Sequence, residues 1–133
     1  MIRIILPLVL LMLWTLPVHA DDDCANATTT VAIQACQTEK LIGLQSDVDV
    51  RYKKRLDAAA AQDKAATAAT DKRHLKLLKQ SQTAFEAYTK AECQRQAYMY
   101  NGGTMTGIAA GTCLQTMASR RIEDMKVWPE PEE

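Results

Sequence analysis

The sequence is short of aromatic residues, short of histidine and without net charge, and each shortage removes a class of function. One Phe, two Trp and four Tyr make up 5% of the chain. A core must therefore come from Leu, Ile, Val, Met and Ala with a few rings. So lean a core in a small domain makes covalent staples valuable. Of two histidines, His19 falls in an N-terminal apolar stretch that reads as a leader, which leaves His74. One histidine, with no Cys-x-x-Cys spacing, does not supply a zinc ligand set. A Cys–His nucleophile pair needs a free thiol, and four cysteines in an exported chain argue against one. Ser46, Ser81 and Ser119 lack a surrounding nucleophile elbow, and Glu86 with Lys90 fits surface i,i+4 pairing better than glycosidase chemistry. Sixteen basic residues balance sixteen acidic ones. Without a basic stripe or basic amphipathic helix, neither nucleic acid nor an anionic membrane is an expected partner. The reading is a non-enzymatic chain with no metal and no cofactor.

What is present begins with an export signal. Arg3 is the lone charge in residues 1–20, Ile4 to Trp14 is apolar apart from Pro7, and Val18-His19-Ala20 precedes an abrupt Asp21-Asp22-Asp23. The apolar run is short for a membrane span, so cleavage after Ala20 is expected, giving a periplasmic or secreted protein with no stable membrane anchor. Three aspartates before Cys24 replace a lipobox and argue against lipidation. They read as a solvated leader segment, ahead of cation binding. Residues 21–128 then form one domain, and 129–133 an acidic tail.

Helical periodicity dominates that domain. Thr29 is the expected N-cap of a first helix on which Ile33, Cys36, Leu41, Leu44, Val48, Tyr52, Leu56 and Ala59 recur at threes and fours, with one five-residue step. Glu39, Lys40, Asp49, Lys53, Lys54 and Asp57 fill the other face, with Asp49 and Lys53 spaced for an i,i+4 pair. Gly43 is the weak point, at about 1 kcal/mol against Ala. Ala58 to Ala69 reads either as continued helix or as an elbow, and the reversal is expected between about Ala61 and Thr70, with Thr70 or Asp71 capping the next helix. His74 then sits, partly exposed, in that helix's first turn. Leu78, Phe85 and Tyr88 form the stripe of the second helix, which should stop at Asn101-Gly102-Gly103. Met105 to Gly111 reads as a loop with a helical turn. A third helix, about 112–127, carries Leu114, Met117, Arg121 and Met125 on one face. The fold class is all-α: a small helical hairpin or three-helix domain stapled by two disulfides.

Four cysteines allow three connectivities. A hairpin centred near residue 65 sets Cys36 level with Cys93, and one centred near Gly103 sets Cys93 level with Cys113. The second bend has the stronger breaker and the shorter loop, which favours Cys93–Cys113 with Cys24–Cys36. Cys36–Cys93 with Cys24–Cys113 stays open. The exposed patch with most functional promise is Tyr98, Tyr100, Asn101, Gly102, Gly103 and Thr104. Rings beside a glycine loop offer a large contact area at small entropic cost. The alternative is a helix C-cap whose tyrosines cover the core.

Several motifs, in order, resemble one family. They are Cys24-x2-Ala27-x-Thr29-x6-Cys36, Val48-Asp49-x2-Tyr52, Leu78-x3-Gln82-x2-Phe85-x2-Tyr88-x2-Ala91-Glu92-Cys93, Gly102-Gly103-Thr104 and Cys113-Leu114-x2-Met117-x3-Arg121-x3-Met125. Together they span nearly the whole mature chain and resemble the LprI-type lysozyme inhibitors, small exported bacterial proteins. Departures include Phe85 where Trp is expected, Thr89-Lys90 in place of an Arg-Asp pair, Ala32 in place of a Glu, and Val48-Asp49 in place of Leu-Asn. The resemblance implies a helical periplasmic protein that inhibits lysozyme or another peptidoglycan hydrolase by protein–protein binding. The rival reading is an envelope structural or stress accessory, or an immunity protein against a wall-degrading toxin.

Overall fold

The structure, a computed structural model, describes residues 24–126. Expectations for the leader, its cleavage site and the acidic tail lie outside those residues. Within them, a 3₁₀ turn (Cys24–Asn26) leads into three helices, α1 (Thr30–Ala65), α2 (His74–Tyr98) and α3 (Met105–Lys126). No strand occurs among the described residues, and none of their helices is long and apolar enough to cross a membrane.

The first helix starts where its hydroxyl places it: Thr29 Oγ1 accepts from the backbone N–H of Ala32 at 3.2 Å. It runs for 36 residues, about 54 Å at 1.5 Å per residue, so the Ala-rich stretch continues the helix as far as Ala65. Alanine needs little side-chain entropy to stay helical, and Lys64 sits in the last turn against the helix dipole. The apolar stripe faces inward: Ile33, Cys36, Leu41, Leu44, Val48, Tyr52 and Leu56 are half-buried and Ala59 is buried, whereas the charged face is exposed. Asp49 and Lys53 do not close into an ion pair, and Glu86 accepts from Gln82 Nε2 at 2.9 Å in place of Lys90.

The capping of α2 differs from expectation. Its N-cap is Arg73, with no side-chain capping bond of its own. Asp63 of α1 does the work instead: Oδ1 accepts from the N–H of His74 at 2.9 Å and Oδ2 from that of Leu75 at 3.2 Å. A carboxylate on two unsatisfied amides at a positive helix end is favourable charge placement, and here it also ties α1 to α2.

The third helix begins earlier than its glycines suggest. Met105 to Gly111 is helical, not loop. A Cβ added at Gly111 would lie 2.7 Å from Gln37 Oε1, and one at Gly107 would collide with the Gln34 amide. The two glycines, four residues apart, leave room on α3 for the Gln34 and Gln37 side chains of α1, and the contacts made there offset their poor helix propensity. Gln37 fastens the approach, donating from Nε2 to Thr112 Oγ1 at 2.9 Å, while Gln115 Nε2 donates to the Gln37 carbonyl at 2.9 Å.

α3 is the shortest of the three helices and the centre of the molecule. Cys113, Met117, Ala118, Arg121, Ile122 and Met125 are buried on it, against Ala59 alone on α1 and Cys93 alone on α2. It runs antiparallel to α2, as Cys93–Cys113 and Arg121–Gln82 show. It runs parallel to α1, with Gln34 beside Gly107 and Arg55 donating to the Met125 carbonyl. The disulfides are Cys24–Cys36 and Cys93–Cys113. The second is the nucleus of the core: Cys93, Cys113 and Met117 cluster, and Phe85 and Leu114 pack on them.

Candidate functional site: the tip between the second and third helices

Beyond the buried Cys93–Cys113 bridge the chain turns through residues 99–104 and forms the tip of the bundle. Its backbone is a succession of tight turns. Met99 N–H donates to the Gln96 carbonyl at 3.2 Å, Tyr100 to Ala97 at 3.1 Å, Asn101 to Tyr98 at 3.1 Å, Gly103 to Tyr100 at 3.0 Å and Thr106 to Gly103 at 3.0 Å. Asn101 and Gly102 have φ of 49° and 75°, the left-handed region that these two residue types adopt most readily. The Asn-Gly-Gly sequence is thus what reverses the chain here, and the Asn101 and Gly103 amides are satisfied locally.

The side chains that result point outward. Tyr98 is 80% exposed, Met99 69%, Tyr100 48% and Met105 47%. The core-covering alternative for the tyrosines therefore fails. Asn101, Gly102, Gly103 and Thr104 are exposed with them, so all six residues singled out from the sequence share one surface. Met99 and Met105 extend it and were not foreseen. The signal was there in a Tyr-Met-Tyr run and a methionine just past the glycines, since large apolar residues in a turn have no core to enter. Val31, 77% exposed in the first turn of α1, belongs to the same end of the bundle, because α1 and α3 run parallel from there.

A polar collar supports the tip on the α2 side. Glu92 receives Arg95 Nη2 at 2.6 Å and Gln96 Nε2 at 2.9 Å. The Arg95 guanidinium, then the Gln96 amide, pull the Glu92 carboxyl down to a pKa of about 2, while Glu92 in turn raises that of Arg95. Arg95 Nη1 also reaches Met99 Sδ at 3.9 Å. The collar holds its charges paired below an apolar crown.

His74, 42% exposed, places Nδ1 3.0 Å from Asp63 Oδ1, but that carboxylate is already engaged by two backbone amides. Among the described residues no group of three His, Cys, Asp or Glu is placed to hold a metal. A groove of about 580 Å³ separates α1 from α2 over α3, with Leu41, Val48, Phe85 and Leu114 below and Gln45, Glu86 and Lys90 at the rim.

Comparison with known proteins agrees with the motif order. Residues 20–125 match a family model described as "Lysozyme inhibitor LprI". A protein of Rhizobium meliloti (strain 1021), itself described as uncharacterized, is 25% identical over 126 residues, covering 88% of each chain. No solved structure matches the chain.

Proposed function

Because the chain belongs to the LprI lysozyme inhibitor family, we propose that it blocks a lysozyme-type peptidoglycan hydrolase by docking its Tyr98–Met105 tip on the enzyme. The observation that carries this reading is the apolar crown of Tyr98, Met99, Tyr100 and Met105, held outward on hydrogen-bonded turns and closed off by a buried disulfide. Aromatic residues and methionine are enriched in interfaces, and tyrosine is among the residues that carry most of their contact energy. A loop already fixed before contact loses little entropy on binding, so its contact area converts more fully into affinity. The action is occlusion, and no bond in the wall polymer is made or broken by the inhibitor.

The compartment follows from the same reading. Two disulfides favour an oxidising environment, and a leader ending at Ala20 would deliver residues 21–133 to the periplasm or medium. The decisive experiment adds the purified, oxidised protein to lysozyme acting on a cell-wall suspension. Clearing slowed at micromolar inhibitor, and restored by Tyr98→Ala with Met99→Ala, is the expected result. Undiminished clearing across lysozymes of several classes overturns the reading. Slowing that the double substitution leaves unchanged overturns the tip as its agent.

A further inference from the structure

At the opposite end of the bundle, Arg121 presents an electrostatic problem that the described residues do not solve. Its side chain is 7% exposed, and no carboxylate among the described residues pairs with it. Nε donates to Gln82 Oε1 at 2.9 Å and the guanidinium lies 5.2 Å from the Phe85 ring centroid. Nη2 is buried with no hydrogen-bond partner. A buried cation with an orphaned donor is costly, and proteins ordinarily compensate it with an anion. A neutral amide and a ring face supply only part of that compensation.

Arg121 also lines a cleft of about 400 Å³ between the C-terminal half of α1 and the start of α2, within the ~300–1,000 Å³ span of ligand sites. Its walls are mainly apolar, formed by Ala58, Ala59, Leu77, Leu78 and Met125. Gln62, whose Oε1 is likewise buried without a partner, lines the same space, and its amide can present a donor there in the other orientation. His74 and Arg55 edge the cleft and add no negative charge, and Asp124, exposed at the rim, forms no ion pair with Arg121. Leu77 is 56% exposed although it lines the cleft. An apolar hollow with one unpaired cation and one unpaired amide calls for a ligand that is aliphatic along its body and anionic at one end.

We propose that this cleft binds an aliphatic monocarboxylate, the carboxylate accepting from the Arg121 guanidinium and the chain lying against Leu77, Leu78 and Met125. The site is independent of the tip. The test titrates the oxidised protein with octanoate, octan-1-ol and octyltrimethylammonium, following backbone amide shifts around Leu77 and Met125. Saturable octanoate binding, with octan-1-ol weaker by about tenfold or more for want of the charged hydrogen bond, is expected. Arg121→Gln should erase the preference. Because that substitution touches the core, Leu77→Asp serves beside it: both ligands lose the same apolar contact, and a carboxylate at the mouth should weaken octanoate severalfold more than octan-1-ol. Equal affinity for octanoate and octan-1-ol, octanoate binding indifferent to Leu77→Asp, or no saturable shift would each overturn the assignment.

Discussion

The Asp63 carboxylate is removed from water by the contact it makes, which alone would raise its pKa. The N–H groups of Leu75 and His74, with the His74 ring, outweigh that and hold it below its ordinary 3.8. Glu92 is held lower still, at about 2 against an ordinary 4.5. Both groups bind fewer protons folded than unfolded in the acid range, so the stability they contribute is complete above about pH 4.5. It is lost as pH falls through the folded values. Urea midpoints followed by circular dichroism should therefore be flat from pH 7 to 5 and decline from pH 4.5 toward 2. Asp63→Asn should lower the midpoint at pH 7 and make that decline shallower. A cap of this kind could not be read from the sequence, because its acceptor lies on another helix, eleven residues before the amide it serves. Thr70 and Asp71 were the nearer candidates, and proximity decided wrongly.

Among elements, α1 was the most legible and α3 the least, for opposite reasons. The α1 stripe repeats every three or four residues over more than seven turns, and periodicity is a local signal. The first two turns of α3 carry Gly107 and Gly111, whose purpose appears only when Gln34 and Gln37 arrive from about seventy residues away. Gly43→Ala tests the contrast, since nothing lies within 4 Å of a Cβ there; it should stabilise the protein by about 0.5–1 kcal/mol in urea unfolding. Gly111→Leu should destabilise by about 1–3 kcal/mol through overpacking, despite leucine's better propensity. The disulfides likewise divide by element. Replacing Cys93 and Cys113 with Ser opens a loop of 20 residues and the centre of the core, and should cost about 2–5 kcal/mol. The Cys24–Cys36 pair, which is only half-buried, should cost less by the same measurement.

For the molecule as a whole, the two ends differ in chemistry. One bears an apolar crown above paired charges, and the other holds, in an apolar cleft, a guanidinium unpaired among the described residues. Tyr98→Ala with Met99→Ala removes exposed surface only, so inhibition should fall about tenfold or more while the urea midpoint stays put. The crown was half-visible in the sequence, because tyrosines next to Asn-Gly-Gly stand out. The cleft was not, since Ala58, Leu77 and Met125 come from three helices and Arg121 resembled an ordinary member of a helix face.

Pairing α1 alongside α3 in the same direction has a consequence for how the chain comes into being. Synthesis delivers the N-terminal portion first, so Leu41, Leu44 and Val48 emerge wet and wait for about seventy residues before the α3 surface that covers them exists. The α2–α3 hairpin can close on itself by short-range contacts, but α1 can only dock late, across the longest separation in the fold. During that interval one stripe of α1 stands bare to water while its charged face keeps the rod dissolved.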